Sequence, residues 1–389
     1  MNILFTRFPL ESRFGGAEVQ TLSLMKGLKE RGHDVEFLGN CETLLRESTS
    51  YEVRVTRLDI GKPPVTKWNS ISFLWRKSTM KKRLINTLEA RSSKLEAIVM
   101  LSMTEKLLVT EELAKRGHPI FWIEHDRIGR WLRMNPWLPQ LRRMSQFATI
   151  VVVSELSKKM YIDLGFDPTH IVVIPNGIDQ ARFQGTPAHR SLGEGERHEA
   201  REIFHSKLVT RNSNLFHVGA VTRLTPDKGA DVLIDAVSDL PEVNLTTIGT
   251  GPEEGFLRKI ILDRNLSDRV ILISHVDDLA SFYSSLDAFV LPSRDHDPFG
   301  LVAAEAMSMG IPTIVTDQCG IADFLRDGED ALIVKAESIS ALQKAICKLR
   351  DDITLRSCIA ENGMHTVREK FNVNTMVSRY EALFQAHAK

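Results

Sequence analysis

The sequence predicts an α/β protein built from two doubly wound domains, each a parallel sheet covered by helices. Three observations predict it. The chain has 389 residues, 43% hydrophobic and 26% charged, which suffices for two cores of ordinary size and is long for one. Short runs rich in Val, Ile, Leu and Phe alternate with helical patterns from one end to the other. Those runs are continuously apolar rather than alternating, the mark of strands covered on both faces, as in parallel sheets with helical crossovers.

In the first half the strand candidates are NILFT at Asn2, VEFLG at Val35, AIVMLS at Ala97, IFWIE at Ile120, TIVVVS at Thr149 and IVVIP at Ile171. In the second they are LFHVGAV at Leu215, LTTIG at Leu245, VILIS at Val270, AFVLP at Ala288, TIVTD at Thr313 and ALIV at Ala331. After Ala331 the strands stop, and three helical stretches close the chain near residues 338 to 350, 353 to 369 and 374 to 387. A polar stretch from Gly185, with Pro187, Gly193 and Gly195, separates the halves. The expected division is a domain over 1–175, a linker over 176–210, a second domain over 211–371 and a last helix, 372–389, packing back on the first domain.

The net charge of zero conceals an asymmetry. Residues 1 to 174 carry 27 Lys and Arg against 19 Asp and Glu, a net of +8, leaving 23 against 31 in the remainder. Between Lys62 and Lys94 nine basic residues meet one acidic residue, Glu89. A second basic run interleaves Arg127, Arg130, Arg133, Arg142 and Arg143 with Trp131, Leu132, Trp137 and Leu138. Beside each other these runs suit an anionic membrane surface, although a solvated helix face carries the same pattern. Nothing resembles a nucleic-acid-binding module.

No apolar run approaches the ~18 residues of a membrane span. Arg7, Glu11 and Arg13 fall where a signal peptide needs an apolar core, so a cytoplasmic location is expected. Cys41, Cys319, Cys347 and Cys358 form no C-x-x-C pair and have no His at metal-ligand spacing, which argues for buried free thiols.

In doubly wound sheets ligands bind at the carboxyl ends of strands, so the loops there carry the chemistry. After the first strand, Gly15 and Gly16 open a helix whose apolar face is Val19, Leu22, Leu24, Met25 and Leu28. Backbone N–H groups at such a start can face an anion, and a Gly-Gly pair also serves as a plain turn. In TRLTPDKGADVLIDAV, Arg223 and Lys228 flank a turn and Gly229 starts a helix. An Arg fork and a Lys point charge together suit a diphosphate, while either alone is an ordinary solvated charge. TIGTGPEEGFL adds Gly249 and Gly251 at a third strand end.

The fourth strand end is DHDPFGLVAAEAMSMG from Asp295. Pro298 and Gly300 suit a helix start, which leaves Asp297 in the preceding loop and Glu305 in the second turn. Two carboxylates so placed, with the backbone N–H groups of Phe299, Gly300 and Leu301 between them, fit a ligand with hydroxyls at both ends and an anionic middle. A nucleotide sugar has that form. Asp297 as a helix N-cap is the competing reading.

GGAEVQTLSLMKGLKERGHDV, VVIPNGID at Val172, GAVTRLTPDKGADVLIDAV and DPFGLVAAEAMSMGIPTI fall in order, and together they resemble the motifs of family 4 retaining glycosyltransferases of the GT-B fold. The resemblance spans nearly the whole chain and weakens from Asn40 to Lys94, on the acceptor side. It implies two Rossmann-like domains facing a central cleft, closed by C-terminal helices. It implies transfer of a hexosyl-type sugar, with retention, from a UDP- or GDP-linked donor to a sugar, polysaccharide or lipid-linked acceptor. Arg223 and Lys228 would hold the donor diphosphate and Glu305 the ribose hydroxyls, with Gly251 and Val276 also on the donor. Gly16 would approach the phosphates from the other domain, and His125 in WIEHDR would sit near the transferred sugar, a packed histidine being the plain alternative. Asp297 takes the place of the first glutamate of the family's E-x7-E motif, here D-x7-E.

No Asp-x-Asp pair or His cluster offers a metal site, so neither metal nor cofactor is expected, and cations with helix N-termini would neutralise the leaving diphosphate. No carboxylate is placed as a nucleophile, which favours front-face attack assisted by the leaving phosphate. A sugar phosphorylase, an epimerase and a nucleotide-sugar-binding protein without catalysis would share the same phosphate contacts.

Overall fold

The computed structural model describes residues 1–10, 15–90, 95–125, 130–180 and 215–388. The polar stretch from Gly185 and the expected linker from residue 181 onward lie outside the described residues. The chain divides into two compact units, Met1–Gly177 with Val373–Lys389, and Ile178–Asn372.

The first unit holds one parallel sheet. Its strands are β1 (Asn2–Arg7), β2 (Asp34–Gly39), β3 (Arg54–Arg57), β4 (Ala97–Met100), β5 (Ile120–Glu124), β6 (Thr149–Val152) and β7 (Ile171–Val173), in the order β3-β2-β1-β4-β5-β6-β7. Alternate residues of a strand point to opposite faces, and here both faces are dry. Leu4, Ile98 and Trp122 join one apolar cluster, Ile3, Phe5, Val99 and Phe121 the other. That is the reason the strands read as unbroken apolar runs. The last helix, Val373–His387, belongs to the second of these clusters through Met376, Val377, Tyr380 and Phe384.

The exception is β3, whose residues RVTR include no buried one and which the apolar pattern passes over. It sits at the sheet's edge beside β2, where Arg54 bonds Glu36 (2.8 Å) and the Arg57 guanidinium reaches Glu42 (2.7 Å). Charged side chains at an edge are the usual guard against pairing with another chain.

The second unit has β8 (Phe216–Val221), β9 (Val243–Ile248), β10 (Val270–Ile273), β11 (Ala288–Leu291), β12 (Thr313–Thr316) and β13 (Leu332–Val334), in the order β10-β9-β8-β11-β12-β13. Every pairing is parallel. Counted within the unit this is the doubly wound order 3-2-1-4-5-6, which reverses between β8 and β11 and leaves a crevice beyond their carboxyl ends. No helix among the described residues is long and apolar enough to cross a membrane. All four cysteines are free; Cys41 and Cys319 are buried, whereas Cys347 is half-buried and Cys358 exposed, so burial holds for two of the four.

Candidate functional site

The loops after β8 and β11 meet at that reversal point, and a glycine decides how closely. Gly229 has φ +66, and a Cβ there would stand 2.2 Å from the carbonyl oxygen of Pro292. Both the left-handed conformation and the missing side chain are required. Arg294 fastens the approach: its backbone N–H donates to Asp227 O (2.9 Å), and its guanidinium donates to Pro226 O (2.8 Å) and Asp231 Oδ2 (2.6 Å).

This brings Lys228 against Asp297, Nζ to Oδ2 2.5 Å, with both side chains nearly nine-tenths buried. Ser293 Oγ donates to the same oxygen at 3.3 Å. Burial would raise the Asp297 carboxyl, but the Lys228 charge and hydrogen bond, His296 and the Phe299 N–H outweigh it and hold the group below the usual aspartate value. It is therefore ionised at neutral pH. Burial beside that carboxylate pushes the Cys319 thiol up to about 12, which makes it an inert neighbour.

Asp297 does not cap the following helix. The residue at the N-cap of Leu301–Ser308 is Gly300, at φ +96, and no side chain bonds the helix's first turn. The backbone of Asp297 instead bridges to the β12 loop, its N–H donating to Gln318 O (2.8 Å) and its C=O accepting from Gly320 N (2.9 Å). The Phe299 N–H, expected to face a ligand, is turned toward Asp297. The Phe299 ring is 2% exposed and packs edge-on against Phe371, so that residue anchors the loop in the core.

Glu305 lies in the second turn of the helix and accepts a hydrogen bond from Tyr283 Oη (3.0 Å). Tyr283 is fully buried in the helix Leu279–Ser284. Sequence reasoning missed it, since a tyrosine in FYSS carries no signal of a partner 22 residues on. Arg223 stands just past β8 with 62% of its side chain exposed, and among the described residues its ion-pair partner is Asp227, at 4.0 Å. Its guanidinium is the cation with most reach here.

Gly249 and Gly251 have a packing explanation. A Cβ at either would meet a carbonyl oxygen of the β8 loop, Thr222 O at 1.8 Å and Leu224 O at 2.1 Å. Val276 is half-buried in the loop after β10. Thus Arg223, Lys228, Gly251, Val276, Asp297, Phe299 and Gly300, on strand-end loops, and Leu301 and Glu305, on the helix that follows β11, all belong to the second unit.

Gly15, Gly16 and His125 belong to the first unit. Gly15 is the extended N-cap of the helix Gly16–Glu30, and that helix's first turn already carries a buried anion, Glu18, paired with Arg7 Nη2 of β1 at 2.5 Å. Arg7 was absent from the expected set. His125 follows β5 directly, half-buried, after Glu124, which holds Lys106 Nζ at 2.6 Å. The basic, aromatic run expected to face a membrane is corrected in part. Trp137 is 7% exposed, donates to Ser70 O (3.0 Å) and meets Phe73 edge-on, while Arg143 pairs with Glu111 (2.7 Å). Arg127 lies outside the described residues.

The chain is similar in sequence to sugar-transferring enzymes. A family model described as "Glycosyl transferases group 1" matches residues 202–366, and one described as "Glycosyltransferase Family 4" matches residues 14–182. The capsular polysaccharide biosynthesis glycosyltransferase CapM of Staphylococcus aureus is 31% identical over 247 residues, 61% of this chain and 59% of that protein. The lipopolysaccharide core biosynthesis mannosyltransferase LpcC of Rhizobium leguminosarum bv. viciae is 25% identical over 349 residues, 86% of this chain and 88% of that one. Coverage of other curated relatives is shorter: the chain spans 48% of the lipopolysaccharide core glycosyltransferase LpsE of Rhizobium meliloti. Among solved structures, Anabaena Alr3699/HepE in complex with UDP and glucose matches with a TM-score of 0.79 and 20% identity, over 99% of this chain and 100% of that one. The two-domain α/β fold is that of the GT-B enzymes.

Proposed function

The chain belongs to the family 4 glycosyltransferases, and from that premise we propose that it moves a hexosyl-type sugar from a nucleoside-diphosphate donor to an acceptor, with retention of anomeric configuration. The observation that carries the reading is the buried Lys228–Asp297 pair at the reversal point of the second sheet. A carboxylate kept ionised and a lysine kept beside it stand ready for a ligand that is anionic at one point and cationic in its transition state at the next.

In this reading Lys228 and the exposed Arg223 take the donor diphosphate, and Lys228 is shared between phosphoryl oxygen and Asp297 once donor binds. Asp297 faces the sugar, where its charge opposes the positive charge developing at the anomeric carbon. Glu305, held by Tyr283, takes the ribose hydroxyls. The acceptor hydroxyl attacks the anomeric carbon from the face the diphosphate leaves. The carbon–oxygen bond to phosphate breaks, and the acceptor proton passes to the departing phosphate oxygen. The cations carry the charge of the leaving group, so neither metal nor cofactor is invoked. Gly15, Gly16, Gly251, Val276 and His125 keep the donor-side roles that the resemblance assigns.

The names of the relatives support an acceptor in surface polysaccharide or lipopolysaccharide, and the UDP in the HepE structure supports a nucleotide donor. A lipid-linked acceptor and the basic excess of the first half support peripheral, salt-sensitive association with an anionic membrane face. The test is incubation with a panel of UDP- and GDP-sugars, with and without an oligosaccharide or glycolipid acceptor, following nucleoside diphosphate release. Donor binding with no release under any acceptor would leave a binding protein, and release that needs inorganic phosphate would leave a phosphorylase. Lys228→Ala should weaken nucleoside diphosphate binding by roughly 1.5–3 kcal/mol, as for a charge-assisted hydrogen bond. Unchanged affinity by calorimetry would remove Lys228 from the site.

A further inference from the structure

The helix Lys67–Glu89 is apolar on the wrong side. Its inner face is supplied by Ser70, Phe73, Met80, Leu84, Ile85 and Leu88, all buried. The outer face should then be polar. Instead Trp68 is 77% exposed, Trp75 74%, Leu74 52% and Ile71 42%. At offsets of 3, 3 and 1 residues from Trp68 onward, these four form one stripe over the first two turns and a half. Met134, 82% exposed, is carried to the same end, because its neighbour Asn135 donates to Pro64 O (2.9 Å) and Trp137 to Ser70 O. Exposed single apolar residues are ordinary, but a contiguous patch holding two indoles marks a surface that is covered in use.

The charges around it choose the cover. Lys62 and Lys67 lie before and at the helix start, and Lys82 and Arg83 continue the outer face beyond Trp75. All four are exposed, and none has a carboxylate partner among the described residues. Lys81, by contrast, turns aside to Glu112 at 2.8 Å. No acidic residue interrupts the face before Glu89. Indoles flanked by unpaired cations on a helix lying along the surface match the headgroup layer of an anionic bilayer, apolar rings at the acyl boundary and ammonium groups among the phosphates.

We propose that this helix is the membrane-docking element of the protein, seated on anionic lipid through Trp68, Ile71, Leu74 and Trp75 with Lys67, Lys82 and Arg83 at its rim. The proposal deepens the membrane reading above and rests on it, while replacing the Trp131–Trp137 segment and diffuse basic charge with a defined insertion face. Its occupant is a lipid surface rather than a second copy of the chain, because four uncompensated cations on the face would oppose one another across a symmetric contact.

The experiment is sedimentation with vesicles of phosphatidylglycerol and phosphatidylcholine, alongside quenching of tryptophan emission by brominated lipid. The wild-type protein should bind at both low and moderate salt and be quenched. Trp68→Ala/Trp75→Ala should bind at least tenfold more weakly at moderate salt and lose most of the quenching, with wild-type hydrogen-exchange protection across β1 to β7 as the check that the first unit is folded. Lys82→Gln/Arg83→Gln should lose binding several-fold at low salt. If wild type binds and the tryptophan pair is without effect, the insertion face is refuted and electrostatic association survives. If wild type does not bind vesicles at all, both fall. Concentration-dependent dimerisation abolished by the tryptophan substitutions would give the face to a second copy and overturn the proposal.

Discussion

Asp297 can serve chemistry only if its carboxylate does something that an amide in the same place cannot. Asn would fit the backbone bridge to the β12 loop and would accept from Ser293, so neither of these contacts needs the charge. What Asn lacks is the ionised oxygen that Lys228 holds. Asp297→Asn should therefore keep nucleoside diphosphate affinity within a few-fold, or tighten it as Lys228 is freed for phosphate. Turnover should fall by roughly 10²–10³, the cost of losing one preorganised transition-state contact. Full turnover in the variant would make the carboxylate a mere partner for Lys228. The acidic residues and cations here were legible in the sequence because Lys228 and Asp297 stand at strand ends beside glycine or proline, with Arg223 and Glu305 within the same two motifs. Tyr283 and Arg7 were not. Each acts through a contact that only the parallel crossovers create, Tyr283 to Glu305 and Arg7 to Glu18, and neither contact leaves a trace in spacing.

Whole strands and helices were legible wherever burial on two faces wrote an apolar run, and the edge strand Arg54–Arg57 was lost because its side chains face water. A different element, the helix Met103–Lys115, carries a charge in a place that sequence gives no reason to watch. Glu105 closes its capping box, one oxygen accepting from Ser102 N (2.7 Å), Leu101 N (3.1 Å) and Thr6 Oγ1 (3.4 Å), while the other is buried with no hydrogen-bond partner among the described residues. Burial raises this carboxyl to about 7, against the lowering effect of its backbone donors and of Lys106. An unfolded glutamate titrates near ~4.3, so between that value and about 7 the folded protein holds a proton that the unfolded chain has released. Stability from this group is thus intact below pH ~4.3 and declines as pH rises to 7 and beyond, by on the order of 3 kcal/mol. Glu105→Gln keeps the capping acceptor and removes the titration. Urea melts at pH 5 and pH 8 should show wild type losing stability and the variant losing markedly less. Equal losses would mean that the buried carboxyl stays charged throughout.

At the scale of the whole molecule, the chain crosses between its units twice, and the second crossing returns the helix Val373–His387 to the first. That return was legible in outline, as a last helical stretch, but the face it serves is visible only in packing. Phe384 is fully buried, 4.6 Å from the Phe121 ring of β5, and Tyr380 lies beside it. Val377 fills the space left by Gly27, where a Cβ would stand 2.5 Å from its methyl group. Glu381 closes the contact with Arg31 (2.7 Å) and His33 (2.7 Å), and their hydrogen bonds hold its carboxyl low. The helix Val373–His387 thus contributes Met376, Val377, Tyr380 and Phe384 to the first unit's core although it follows the second unit in sequence. Truncating a buried phenylalanine costs about 3–5 kcal/mol when the site does not collapse. Phe384→Ala should withdraw that amount from the first unit alone, since every partner of Phe384 described here belongs to it. Hydrogen exchange should quicken across β1 to β7 and stay unchanged across β8 to β13, while calorimetry finds the same nucleoside diphosphate affinity as wild type. A uniform loss of protection over both sheets would show instead that the two units unfold as one, and the C-terminal helix would then be a staple for the entire chain.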